Sequence, residues 1–226
     1  MHKYVQSTTQ GNLRYYHTKY PPTPKLLVVS GLHGDEAGVI EPLFLHLTTQ
    51  EKELPPTLFI PVMSPSAFER KQRKNKHGND VNRIFGLNTG DTEEQVASSI
   101  VKAHAPYNLV VSFHEDHEYS QVYVYDVGTT PCEPDISSWR NAIHALSLDL
   151  LNGIDDPSDA DLGYRFEEGY NHELAAKNSG EFEHWVIQEN FAPRSLTLEI
   201  PAHATSYQKR GAIEATLQHL ILPLFP

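Results

Sequence analysis

Lys25-Leu26-Leu27-Val28-Val29-Ser30-Gly31-Leu32-His33-Gly34-Asp35-Glu36 joins a short apolar run to a polar turn. Its first half is a short apolar run between Pro24 and Gly31, the pattern of a strand buried on both faces inside a parallel sheet. Its second half leaves that strand on a glycine-flanked turn carrying one histidine and two acids. In open α/β sheets, ligands gather just beyond the carboxyl ends of strands. The residues just past each apolar run therefore carry the functional reading.

Similar runs recur at Thr57–Val62, Asn108–Phe113 and Ser195–Ile200, and Gln121–Val127 alternates as a further strand. Between and after them, Ala37–Thr49, Glu93–His104, Ile136–Leu151, Glu181–Glu189 and Gln208–Leu222 read as helices, while Asp155–Gly180 is polar and irregular. Short strands alternating with helices predict an α/β protein, a single-domain α/β/α sandwich with a mixed, largely parallel central sheet spanning residues 1–226.

Composition narrows the partners. Cys132 is the one cysteine in 226 residues, which excludes an internal disulfide framework and any cysteine-rich zinc module. Lysine and arginine total 18 against 29 acids, a net charge of −11. No basic stripe is present beyond Arg70-Lys71-Gln72-Arg73-Lys74-Asn75-Lys76, so neither nucleic acid nor an anionic membrane surface is expected as partner. The first twenty residues lack the apolar core of a secretory signal, and no apolar run approaches the ~20 residues of a membrane span. A cytoplasmic protein is the expectation. The unusual count is histidine, 13 in all, a side chain suited to proton transfer and metal binding.

The strand ends hold complementary chemistry. His33-Gly34-Asp35-Glu36 comes after the first run, Asn79-Asp80-Val81-Asn82-Arg83 lies downstream of the second, His114-Glu115-Asp116-His117 comes after the third, and Glu199 ends the last. Two histidines, a glutamate and an open position form one of the known catalytic zinc arrangements. His33 and Glu36 are close enough on their turn to grip one ion, with His114 as third ligand and His117 as its rival. Such an ion polarises a scissile carbonyl and activates water. A carboxylate outside the ligand set must then move the proton, and Glu199 suits that role. An arginine with an adjacent asparagine can hold a free carboxylate by bidentate hydrogen bonds. The other histidines, His17, His46, His104, His144 and His219 among them, read as ordinary surface or half-buried residues.

The order His33-Gly34-Asp35-Glu36, Asp80-Val81-Asn82-Arg83, Ser112-Phe113-His114, Thr197-Leu198-Glu199 resembles the zinc carboxypeptidase superfamily of carboxypeptidase A type. That superfamily includes the aspartoacylase and succinylglutamate desuccinylase deacylases. The resemblance implies one Zn2+ on His33, Glu36 and His114, Glu199 as general base and acid, and Asn82 and Arg83 as anchors for a substrate carboxylate. It implies Arg73 as the oxyanion arginine, with Arg70 as the alternative, and with zinc, Arg73 and Arg83 facing an anionic substrate end the cleft is expected to be locally cationic. Glu183 falls near the family's specificity position, where an acid favours a cationic leaving residue such as Lys, Arg or diaminopimelate. The place of the family's capping tyrosine, shortly before Ser179-Gly180, reads Ala175-Ala176, while Tyr164 and Tyr170 lie further upstream.

The activity implied is hydrolysis of a peptide or isopeptide bond beside a free terminal carboxylate, in a small peptide or amide substrate of cell-wall type. An N-acyl amino acid deacylase is the alternative, and a non-catalytic peptide-binding module a more distant one. Ser195–Pro201 resembles the peptidase strand more than the deacylase one. The deacylases also usually carry a further β-rich domain, for which the sequence leaves no residues beyond Pro226.

Overall fold

The computed structural model describes residues 1–8, 11–18, 23–156, 163–175 and 180–225. Its strands are β1 (His2–Thr8), β2 (Gly11–His17), β3 (Leu26–Ser30), β4 (Thr57–Ile60), β5 (Leu109–Asp116), β6 (Tyr123–Gly128), β7 (Gly153–Ile154), β8 (Arg165–Phe166), β9 (Tyr170–Glu173) and β10 (Arg194–Pro201). The helices are α1 (Ile40–Thr49), α2 (Pro65–Arg70), α3 (Thr92–His104), α4 (Ile136–Ala145), α5 (Phe182–Gln188) and α6 (Ser206–Ala215).

Eight strands form one sheet in the order β1-β2-β4-β3-β5-β10-β6-β9, and β7 and β8 pair separately. The central four, β4, β3, β5 and β10, are mutually parallel. The hairpin β1–β2 joins antiparallel at one side, and β6 runs antiparallel to β10 at the other. The mixed, largely parallel α/β sheet expected from the sequence is the one observed.

Alternation along the central strands builds two cores. Leu26 and Val28 of β3, with Leu109, Val111 and Phe113 of β5, face α1, α4 and α6 through Leu43, Trp139 and Ile213. Leu27, Val29 and Val110 face the opposite side, where Ile100 of α3 and Phe182 and Trp185 of α5 pack. Both faces are covered, which is why these strands read as unbroken apolar runs. His114, like Ser112 and Val110, points to the α3/α5 side by the same alternation.

Chain order also sets the place for a site. After β3 the chain builds β4 on one flank, then crosses to lay β5 on the other. The strand order reverses there, and such a switch point leaves a crevice at the carboxyl ends of β3 and β5.

Several expectations need correction. The helix expected over Ile136–Leu151 ends at Ala145, where Ser147 takes a left-handed φ of 56° and Leu150 bridges to Val122. The stretch Asp155–Gly180, expected to be irregular, supplies β9, which adds to β6 in parallel. The last helix starts at Ser206, because Thr205 and Gln208 cap it reciprocally, and loosens into a wider turn over Thr216–Ile221. Among the described residues no helix is long and apolar enough to cross a membrane.

Candidate active site

The turn after β3 is shaped by close approach to α2. A Cβ on Gly34 would lie 1.9 Å from the carbonyl oxygen of Ala67, so only glycine fits there. The Gly34 N–H donates to the Gln72 carbonyl at 3.0 Å, tying this turn to the basic loop. His33 and Glu36 are thereby turned inward and buried, 3% and 4% exposed. His114, at the end of β5, reaches the same point at 2% exposure.

Three side chains converge. His33 Nδ1 lies 2.5 Å from Glu36 Oε1, and His114 Nδ1 lies 2.8 Å from Glu36 Oε2. One ligand atom from each falls within 4.8 Å of the others, the only such group of three among the described residues. The donor set, two imidazole nitrogens and a carboxylate, suits Zn2+ and related divalent ions. Burial by itself would raise the Glu36 carboxyl, but the two imidazoles hold it well below the usual carboxylate range.

The far nitrogens are also met by carboxylates, as metal-ligating histidines generally require. His33 Nε2 is 3.1 Å from Asp80 Oδ1, while Asp80 Oδ2 accepts from Arg73 Nε at 2.8 Å. His114 Nε2 is 3.2 Å from Glu183 Oε1 and 2.7 Å from Ser112 Oγ. The residues present fit a divalent cation.

The surrounding groups share one cavity of ≈ 450 Å³ with these three. Glu199 of β10 sits in register with His114 of β5, on the same side of the sheet. Burial raises its carboxyl well above the ordinary value, and the carboxylates Glu36, Asp116 and Glu183 push it further against the pull of His114. Such a group sits where a proton carrier needs to be.

Arg73 lines the cavity, with NH1 3.8 Å from Glu36 Oε1. Arg70 is not among the lining residues and donates instead to the Asn75 carbonyl at 3.3 Å. The loop carrying Arg73 is held by Asn75 and Asn79, whose amides donate to Asp91 Oδ2 at 2.6 and 2.8 Å. Asn82 and Arg83 both line the cavity. Asn82 Oδ1 accepts from the Phe182 N–H at 2.8 Å, and Arg83 NH1 lies 3.2 Å from Glu181 Oε1. His117 lines the same cavity but is exposed and stands outside the group of three.

Two features were not foreseen. Tyr119, Tyr123, Tyr125 and Tyr164 all line the cavity. The alternation of Tyr123 and Tyr125 along β6, which places them beside Glu199 and Thr197, is the signal that could have shown two of them. The lining is also acidic. Ten Asp and Glu residues are among the lining residues beside Arg73 and Arg83, acids that the expectation of a cleft made cationic by zinc, Arg73 and Arg83 did not count, although the Glu115 carboxylate turns away to Lys209. Where the family's capping tyrosine would fall, Ala176 and Ser179 lie outside the described residues.

Comparison with known proteins bears on this arrangement. The model of the succinylglutamate desuccinylase/aspartoacylase catalytic domain family matches residues 22–177, more than half of the chain. The chain belongs to this family. As a member of the succinylglutamate desuccinylase/aspartoacylase family, it carries His33, Glu36, Arg73, Asn82, Arg83 and His114 within the matched part, whereas Glu183 and Glu199 lie beyond it. No curated protein matches the chain in sequence.

Solved structures share its fold. A candidate metallopeptidase of Shewanella baltica OS155 superposes with a TM-score of 0.75 at 20% identity, covering 99% of this chain and 87% of that one. The metallo-carboxypeptidase of Pseudomonas aeruginosa, in complex with (2-guanidinoethylmercapto)succinic acid, gives 0.61 at 19% identity over 95% of this chain and 62% of that one. The murein-tripeptide amidase of Escherichia coli O157 gives 0.50 at 16% identity over 92% of this chain and 86% of that one.

Proposed function

We propose that the protein is a zinc-dependent hydrolase that cleaves a peptide or isopeptide bond beside a free terminal carboxylate, with residues 1–226 acting as one catalytic domain. The observation that carries this reading is the convergence of His33 Nδ1 and His114 Nδ1 on the two oxygens of Glu36, with Glu199 in register beside His114. His33, Glu36 and His114 would hold the ion. When bound, a divalent cation supplies Lewis acidity to the scissile carbonyl and lowers the pKa of water.

The remaining steps belong to the chain's own groups. Glu199 takes the proton of the attacking water and delivers it to the departing amine. Arg73, held by Asp80, faces the charge that develops on the carbonyl oxygen. Asn82 and Arg83 bind the terminal carboxylate of the substrate, Arg83 through its planar fork.

The acidic lining supports a peptide whose leaving residue carries an amine. A substrate with only negative groups would be repelled by the ionised acids of the lining, whereas an amine beside a carboxylate matches both these acids and Arg83. The Pseudomonas enzyme's ligand joins a guanidino group to a succinic acid, the same pairing of charges. The family match favours a second reading, deacylation of an N-acyl amino acid.

A hydrolysis screen of the zinc-loaded protein separates the two. Peptides ending in Lys, Arg or diaminopimelate, murein fragments and N-acyl amino acids are compared at equal concentration. Faster turnover of peptides with a basic leaving residue supports the first reading. Faster turnover of N-acyl amino acids replaces it with the second.

A further inference from the structure

His114 is held from three sides. Its Nδ1 faces Glu36, and its Nε2 faces both Ser112 Oγ at 2.7 Å and Glu183 Oε1 at 3.2 Å. All of these side chains are buried, Ser112 at 0% and Glu183 at 7% exposure. The imidazole first and Ser112 in addition hold the Glu183 carboxyl below its ordinary value against the effect of burial.

Glu183 has little freedom to leave that place. It lies in the first turn of α5, whose Phe182 N–H donates to Asn82 Oδ1 at 2.8 Å. Just before it, the Gly180 carbonyl accepts from the Phe85 N–H at 2.8 Å. Phe182 and Trp185 then clamp the helix on Phe85, with ring centroids 5.1 and 5.2 Å away. Swinging Glu183 toward a bound side chain would strip His114 of its charged acceptor and leave the carboxylate buried without this partner, which is costly.

We propose that Glu183, together with Ser112, is a positioning residue for the metal ligand His114 rather than the side chain that reads the substrate. A neutral imidazole carries a single N–H. If Nδ1 is to offer its lone pair to the ion, Nε2 must carry that hydrogen, and an acceptor at Nε2 selects this tautomer and fixes the ring plane. Glu183 thus serves His114 as Asp80 serves His33, where the separation is 3.1 Å. The two supports come from different parts of the chain, Asp80 from the loop before α3 and Glu183 from α5. This inference rests on the metal site of the proposed function. It moves the recognition of a cationic leaving residue from Glu183 to the other acids of the cavity.

The test compares the parent protein with Glu183→Ala and Glu183→Gln. Zn2+ affinity is measured by competition with a chromophoric chelator, the visible spectrum is recorded with Co2+ in place of Zn2+, and the kcat/KM ratio is taken for peptides with basic and neutral leaving residues. Glu183→Ala should weaken Zn2+ binding roughly 10–100-fold. Glu183→Gln, nearly the same shape and still able to accept from Nε2–H, should lose less affinity but shift the Co2+ bands. The basic-to-neutral ratio should stay within about twofold in both. Unchanged affinity and Co2+ spectrum in both variants, or a collapse of that ratio with affinity intact, would overturn the assignment. If Glu183→Ala does not fold, Glu183→Gln alone decides by the same three readings. A parent protein that binds no stoichiometric ion overturns the metal site itself, whereas a metal-binding parent with unaffected variants overturns only the role of Glu183.

Discussion

Glu199 and His114 are register partners across the parallel ladder of β5 and β10, so both side chains leave the same face of the sheet. The proposed proton carrier and the proposed metal ligand are thus placed side by side by the pairing of two central strands of a sheet covered on both faces. Sites built on strands hold such geometry more tightly than sites on loops.

That placement yields the first prediction. Glu199→Gln should retain the metal and the fold while kcat drops about 10²–10⁴-fold, the usual contribution of a positioned acid–base group. Single-turnover kinetics with metal content measured on the same sample checks this. A variant that keeps its kcat would remove Glu199 from the mechanism.

Arg83→Ala should act on binding. KM should rise for substrates with a free terminal carboxylate, while the same substrates blocked as amides change little. Equal effects on the free and blocked pair would mean that Arg83 anchors something else.

Asp80 touches two functional groups at once, His33 through Oδ1 and Arg73 through Oδ2. Asp80→Ala should therefore lower Zn2+ affinity roughly 10–100-fold and reduce kcat as well. Chelator competition and steady-state kinetics on one preparation give both numbers. Loss of kcat at unaltered affinity would confine Asp80 to Arg73.

How far the sequence announced this site depends on the element that carries each residue. His33, Glu36, His114 and Glu199 stand at the ends of strands buried on both sides, which read as plain apolar runs. The β1–β2 hairpin escaped notice because it is a polar flank of the sheet. β9 escaped because its four residues, Tyr170–Glu173, gain strand geometry only by pairing with β6. The contact between Glu183 and His114 spans 69 residues and arises from the docking of α5, which no local pattern encodes. The acidity of the cavity was hidden for a related reason, since its carboxylates come from loops, two strands and α5, scattered along the chain.

Away from the site, Arg194 and Asp126 form a buried pair, 1% and 0% exposed, with Nε–Oδ1 at 2.8 Å and NH2–Oδ2 at 2.6 Å. Removing one partner strands the other charge, at a cost of about 3–5 kcal/mol. Arg194→Ala should lose that much stability in urea unfolding. A loss below about 1 kcal/mol would show that the pair is replaceable by water.

Stability should also fall in mild acid through His17. Burial on β2, with repulsion from His104 and His2, lowers its pKa from 6.5 to about 4. Between those values the unfolded chain binds the proton and the folded one does not, so stability drops as pH falls from 6.5 toward 4 and is untouched by this group above 6.5. His17→Gln should flatten this part of the Tm-against-pH curve. Parallel curves for parent and variant would refute it.

On the proposed function, His33, Glu36 and His114 hold one divalent ion. Elemental analysis of protein purified without chelator, set beside His33→Ala and His114→Ala, tests it most directly. One equivalent of zinc in the parent and almost none in either variant is the expected result. No stoichiometric metal in the parent, or undiminished metal in the variants, would rule out these three residues as the ligands.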